Sequence, residues 1–512
     1  MTDAEITIHR DATIGHVGPE LHGHFSEHLG RCIYDGMWHA DEADGTGYRE
    51  DVVDLLEALD VPVLRWPGGC FADDYHWEDG VGPREDRPRR RNLSWAQGSE
   101  QVPEESNAFG THEFLDLCER IDAEPYLAVN VGSGDPQEAA DWVEYCNYDG
   151  ETDLAERRRA NGREEPYEVR YWGIGNENWG CGGNMTPEQY AGEYRRFETY
   201  VGRTTRHLVD HDIERIVCGY REPEWTRKLL EAFASGPRGP HFPFDHLTFH
   251  RYYGRTISVP EADDADYDQV LAEALATGDR IERIAATVDA TATTRDVGVI
   301  VDEWGAWHPE ATADSGLEQP GTPLDALSAA VVLNLFNHHA DVVTMGNIAQ
   351  TVNVLQCLVE TDGEDAWARP TYRVFDLFTP HRNSDAVTTT VETPTRDLAQ
   401  AGDSDRDDLP LVGASASVGM SASVGSDDGE TFVTVTNRDC RAAHTVRLVV
   451  DGVDPAAATV DAEVLFADRA PDEVATAENA DSFAADQLPV ETDSGVVTVE
   501  LPPATVAAVS VR

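Results

Sequence analysis

The chain has 512 residues, 96 of them acidic against 39 basic, which gives a formal charge of -57 at pH 7 with Lys228 as its single lysine. Such a length buries a large core and holds one large domain plus a smaller one. A surface this uniformly anionic excludes nucleic acid and anionic membranes as partners. It also repels itself until molar salt shortens the Debye length to about 3 Å, as halophilic proteins require.

The first residues carry no basic or apolar leader, and the Arg89-Arg90-Arg91 run lies too deep for an export signal. No stretch reaches the apolar length of a membrane span. Eight scattered cysteines favour reduced thiols, and the expected setting is cytoplasmic. Residues 4–14 read as extended, so segment 1–18 is expected to join a C-terminal β-domain.

Eight apolar, strand-like runs follow at 20–25, 62–66, 125–131, 169–175, 213–219, 246–253, 297–302 and 341–348. Most are too apolar to be half-exposed, which is how parallel strands buried on both faces read. Amphipathic helical patterns lie between them, as at 49–59, 110–121 and 186–208. The last opens with Thr186 as N-cap, Pro187 in the first turn and acidic Glu188. Eight such units over 19–380 predict an α/β fold, a (β/α)8 TIM barrel. A doubly wound open sheet is the rival, but no Gly-rich phosphate loop follows any strand. Beyond 380 the texture changes. Residues 401–429, rich in Ser, Asp, Ala and Gly, read as a loop. Alternating runs at 431–436, 445–450, 459–466, 496–501 and 505–511 predict an all-β sandwich over 381–512.

Two runs carry the chemistry: Gly173-Ile174-Gly175-Asn176-Glu177 and Val299-Ile300-Val301-Asp302-Glu303-Trp304. Each apolar stretch ends on a carboxylate, a costly placement unless that charge has a use. Counting units puts Glu177 after strand four and Glu303 after strand seven, at the barrel end where active sites form. A pair of carboxylates there suits glycoside hydrolysis, one as acid and one as nucleophile or base. The plainer reading has Glu177 capping the next segment and Asn176 making a turn. On the catalytic reading, the Asn176 amide is placed to bind a sugar hydroxyl.

The chain resembles glycoside hydrolase family 51, whose typical members are α-L-arabinofuranosidases. The matching runs are Gly23-His24-Phe25-Ser26-Glu27-His28-Leu29-Gly30-Arg31, Leu64-Arg65-Trp66-Pro67-Gly68-Gly69, Tyr75-His76-Trp77-Glu78-Asp79-Gly80-Val81-Gly82-Pro83, Asn107-Ala108-Phe109-Gly110-Thr111-His112-Glu113-Phe114, Gly175-Asn176-Glu177, Asp302-Glu303-Trp304 and Asn347-Ile348-Ala349-Gln350. The resemblance implies a retaining double displacement with Glu177 as acid/base and Glu303 as nucleophile, their carboxyl groups about 5–5.5 Å apart. It further implies that Asn176, Glu27 and Gln350 contact the sugar, that His250 and Tyr252 flank the nucleophile, and that Arg65 pairs with a carboxylate beside it. The implied partner is an arabinose-containing oligo- or polysaccharide, and the implied assembly is a homo-trimer or hexamer. No cofactor and no metal are expected, since the acid–base steps need no Lewis acid.

Two positions depart from better-known members. Cys70 stands where those carry a sugar-binding asparagine, and Asn178-Trp179-Gly180-Cys181-Gly182-Gly183-Asn184 replaces an acidic residue, glycine and proline. Cys70 and Cys181 are expected at the barrel mouth, with a disulfide open to them only if their Cα atoms approach within about 4.4–6.8 Å. A cytoplasmic setting disfavours a permanent one. Of the tryptophans, Trp95 and Trp179 lie in loop-like segments and are the expected substrate contacts. Arg84, Arg87, Arg89, Arg90 and Arg91 are read as a solvated run pairing with carboxylates rather than as an anion site. His22, His24, Glu27 and His28 offer metal-ligand types, but hydrogen bonding around a sugar site suits them better. Two other functions stay open at this stage: β-xylosidase or endo-β-glucanase activity on the same barrel, and a non-catalytic sugar-binding barrel.

Overall fold

The computed structural model describes residues 4–39, 47–96, 102–236, 239–292, 296–400, 402–419, 429–453, 458–493 and 495–512. Eight parallel strands close into a barrel: Gly23–Phe25, Val63–Trp66, Glu124–Val129, Tyr171–Ile174, Glu214–Cys218, His246–Tyr253, Gly298–Ala306 and Val343–Ala349. They are the first to eighth barrel strands below, and the fold is the expected TIM barrel. Val63, Tyr126, Tyr171, Ile216, Ile300 and Met345 plug its interior, one from each of six strands. Helices follow the amphipathic patterns. Pro187–Leu208 begins with a reciprocal capping box in which the Thr186 side chain meets the Gln189 backbone and Gln189 answers to Thr186.

The first run departs from its expected form. Pro19–His22 winds into a 3-10 turn, leaving only Gly23–Phe25 in the barrel. Proline lacks the N–H that a ladder needs and suits the first position of a turn.

The C-terminal part is β-rich, as expected, with ten strands in one hydrogen-bonded order. Ala4–Val17 lies inside that sheet, antiparallel to Ser384–Glu392 and parallel to His444–Val450. Ile6, Val433, Val446, Val464, Val497 and Val509 share one buried cluster, so the sheet encloses its own core.

Residues 401–429 are not a loop throughout. Val412–Gly419 is a largely buried strand; residues 401 and 420–428 lie outside the described residues. The small side chains at 413–417 let the strand pack against helix Pro323–His338. The Ser415 hydroxyl donates to Asn334 Oδ1 at 2.6 Å, and Asn337 Nδ2 donates to Ser415 at 3.0 Å. Polar composition suggested solvent, but these serines are buried and hydrogen-bonded. Among the described residues no helix is long and apolar enough to cross a membrane.

Candidate active site

The chain leaves the fourth strand through a tight turn. Gly175 has φ 96° and Glu177 φ 39°, both left-handed. A Cβ at Gly175 would stand 2.2 Å from Asn178 Oδ1, so only glycine fits. The Asn178 amide then donates to Gly182 O at 2.8 Å, tying the loop back on itself. On the seventh strand, pairing with the sixth slips between Val301 and Glu303. Such irregularities re-aim side chains near active sites.

The two carboxylates meet. One oxygen each of Glu177 and Glu303 and a ring nitrogen of His250 lie within 4.8 Å of one another. His250 Nδ1 is 2.8 Å from Glu177 Oε1 and 3.3 Å from Glu303 Oε2. The Tyr252 hydroxyl donates to Glu303 Oε2 at 2.8 Å, and Arg65 Nη1 donates to Oε1 at 3.0 Å. Arg65 Nη2 also donates to Asn176 Oδ1 at 2.6 Å. Burial pushes the Glu303 carboxyl up, but the charges of His250 and Arg65 and the hydrogen bonds of His250 and Tyr252 outweigh it and hold the group at about 2. Burial lowers the His250 imidazole, yet Glu303 and Glu177 raise it to about 10. The His250 ring thus bridges the two carboxyl groups.

Glu27 forms a third acidic point. Burial first, and then the charge of Glu303, push it up to about 8. The Phe71 N–H and Trp95 Nε1 donate to its Oε1 at 2.9 and 3.1 Å, and Gln350 Nε2 to its Oε2 at 3.2 Å. Glycine is required opposite: a Cβ at Gly68 would stand 2.6 Å from Glu27 Cγ, and one at Gly69 2.9 Å from Glu303 Oε1. Asn176 Nδ2 and Gln350 Oε1 are buried without a hydrogen-bond partner among the described residues. Leaving such groups unpaired costs about 1–3 kcal/mol each, so a ligand rich in hydroxyls suits them.

The cavity above these groups measures about 650 Å³, the size of a ligand site. Glu27, Cys70, Trp95, Glu177, Trp179, His250, Tyr252, Glu303 and Gln350 line it. Arg65 and Asn176 do not; they are buried and joined to each other, with Arg65 reaching Glu303. Trp66, Trp77 and Trp304 are core. Tyr220, Arg221 and Arg255 also line the cavity, brought there by the loops after strands five and six, and Trp307, expected in the core rather than among the substrate contacts, joins them just past strand seven. Only the position of each just past a strand end could have flagged them.

The remaining candidates have other partners. His22 accepts from Arg382 Nε at 3.1 Å, and His28 lies between Glu105 and the Trp66 indole N–H at 2.8 and 3.0 Å. The His24 ring packs against Phe375. In the arginine run, Arg84 and Arg87 bind Glu113, Arg89 binds Glu104, and Arg90 binds Asp79.

Cys70 and Cys181 are joined by a disulfide with Cα atoms 5.6 Å apart, and they form part of the cavity wall. Cys181 Sγ lies 3.7 Å from Glu177 Oε2, so the crosslink pins the Glu177 loop to the loop after strand two. Protein purified without reductant and unfolded in denaturant should titrate six thiols rather than eight, since the six other cysteines are free. A count of eight would mean that the bond does not form in solution.

A parallel barrel with two close carboxylates at opposite strand ends defines a glycoside hydrolase. Two family profiles match, an α-L-arabinofuranosidase 1 domain over residues 55–267 and an α-L-arabinofuranosidase C-terminal domain over 302–505. The intracellular exo-α-L-arabinofuranosidase of Bacteroides ovatus is 37% identical over 452 residues, 87% of this chain and 84% of that protein. The family 51 arabinofuranosidase of Xanthomonas axonopodis pv. citri superposes with a TM-score of 0.89 at 35% identity over 100% of both chains. The Thermotoga maritima α-L-arabinofuranosidase, solved as an arabinose complex, does so with 0.84 at 30% identity over 99% of both. The chain belongs to the α-L-arabinofuranosidases of glycoside hydrolase family 51.

Proposed function

We propose that Glu303 attacks the anomeric carbon of a terminal α-L-arabinofuranosyl residue while Glu177 protonates the departing oxygen. The activity is that of an exo-acting, retaining α-L-arabinofuranosidase. The observation that carries the assignment is the shared imidazole: one oxygen of each carboxyl group lies within 4.8 Å of the other, the close spacing that suits a retaining pair. Inverting enzymes need about 6.5–9.5 Å. Arg65, Tyr252 and His250 keep Glu303 ionised, as a nucleophile must be. In the second step Glu177 takes a proton from water, whose oxygen attacks the same carbon, breaks its bond to Glu303 and releases that carboxylate, restoring the first configuration.

Around this centre, Asn176, Glu27 and Gln350 would bind the sugar, and the two unpaired amide atoms support that role. Trp95 and Trp179 would flank it, and Cys70 would stand where an asparagine serves elsewhere. Arabinan, arabinoxylan or arabino-oligosaccharides are the substrates of this reading. A panel of nitrophenyl glycosides in molar salt tests it: the α-L-arabinofuranoside should be cleaved at least about tenfold faster than the β-D-xyloside or β-D-glucoside. Equal rates would move the assignment to those sugars, and no turnover at all would revive a binding-only barrel.

The reading extends to a halophilic, intracellular enzyme. The charge of -57 supports the first part, and the intracellular relative from Bacteroides ovatus the second. A homo-trimer or hexamer is the assembly that membership implies, and light scattering in molar salt tests it.

A further inference from the structure

Arg221 and Arg255 share the cavity wall with Trp179 and Tyr220. Arg255 lies three residues past Tyr252, with its Cζ 4.0 Å from the Trp307 ring centre and 5.6 Å from that of Tyr252. Tyr252 itself meets Trp307 edge-on at 5.2 Å, so the guanidinium rests on a fixed aromatic corner. Stacking holds the plane of an arginine and leaves its N–H fork unused. Among the described residues Arg255 makes no hydrogen bond and no ion pair. The carboxylates nearest Arg221, on Glu222 and Asp403, are both 3.8 Å away. Asp403 is already held by Arg251 at 2.6 Å.

These two arginines contrast with the run from Arg84 to Arg90, where each cation meets a carboxylate directly. In a chain with 96 acidic residues, carboxylate partners are abundant. Burial lowers the Arg255 guanidinium and the charge of Arg221 lowers it too, against the opposing pull of Tyr252, Glu177 and Asp403, so two like charges face one wall. A neutral sugar does nothing to relieve that repulsion, whereas a carboxylate does. Their position is equally specific. Glu177 follows strand four, and Trp179, Arg221 and Arg255 follow strands four, five and six, while Glu27 and Gln350 come from strands one and eight. The arginines therefore flank the carboxylate assigned to the leaving group.

We propose that Arg221 and Arg255 form a leaving-group subsite for a carboxylate-bearing sugar, so that the preferred substrate carries its arabinofuranosyl residue on a uronate-containing oligosaccharide. This rests on the arabinofuranosidase reading above. The bidentate fork of each arginine matches a carboxylate.

The test compares kcat/KM for two arabinoxylo-oligosaccharides of equal length, one neutral and one with a glucuronate beside the arabinosylated unit, at the same salt concentration. The uronate substrate should be favoured about tenfold, as expected for one charge-assisted contact. Arg255→Gln and Arg221→Gln should each bring that ratio toward one, mainly through KM. Free glucuronate should inhibit the unsubstituted enzyme more strongly than free glucose does, a measurement that needs no variant. A ratio near one in the unsubstituted enzyme, a ratio that neither variant changes, or equal inhibition by the two sugars would overturn the subsite. Failure to cleave even the neutral substrate would instead remove the arabinofuranosidase reading.

Discussion

Glu303→Ala should lower kcat by more than about a thousandfold on every arabinofuranoside, because no other group in the cavity replaces the nucleophile. Azide fills the space left and should restore part of the rate on an activated aryl substrate, giving an arabinosyl azide of inverted configuration. Glu177→Ala should behave differently. With a nitrophenyl leaving group the first step needs little protonation, whereas on an oligosaccharide the loss should reach about a hundred- to ten-thousandfold. Parallel losses on both substrate types would take the acid role from Glu177. Reduction of the Cys70–Cys181 bond should mimic a weak form of this pattern. The loop carrying Glu177 is then released at one end, and misplacement by about 1 Å can cost a hundredfold.

Dialysis into dilute buffer should unfold the protein and abolish activity together. The cause is the charge of -57. Direct ion pairs occupy many arginines, but 39 basic residues cannot neutralise 96 acidic ones. Exposed pairs contribute only about 0–1 kcal/mol each, so the surplus repulsion needs mobile counter-ions. Far-ultraviolet ellipticity and arabinofuranoside hydrolysis should fall with the same midpoint as salt is withdrawn. An enzyme that stays folded and active at low ionic strength would show that the acidic surface is tolerated without screening.

The parts of the fold legible in the sequence were those governed by local rules. Apolar runs at 169–175 and 297–302 ended on carboxylates because a strand leaving a barrel passes from core to cavity. Thr186, Pro187 and Glu188 announced a helix start, because the first caps a backbone donor, the second omits one and the third suits the positive end of the helix. Val412–Gly419 was not legible, since its serines are satisfied by Asn334, Asn337 and His381, side chains distant in sequence. Arg255 and Tyr220 were missed for the same reason: their meaning depends on Trp307 and Trp179, which only the closed barrel brings to them. Cys70 and Cys181 could be placed at the mouth from motif positions alone, but their pairing required the distance between two loops.

The most direct test of the central claim is the mass of the enzyme during turnover. In Glu177→Ala the second step lacks its base, so an activated arabinofuranoside should load the enzyme faster than water unloads it. Acid quenching followed by peptide mapping should then find one anhydropentose on the peptide containing Glu303. An adduct on a different residue, or an unlabelled enzyme whose product emerges with inverted anomeric configuration, would contradict a retaining mechanism through Glu303.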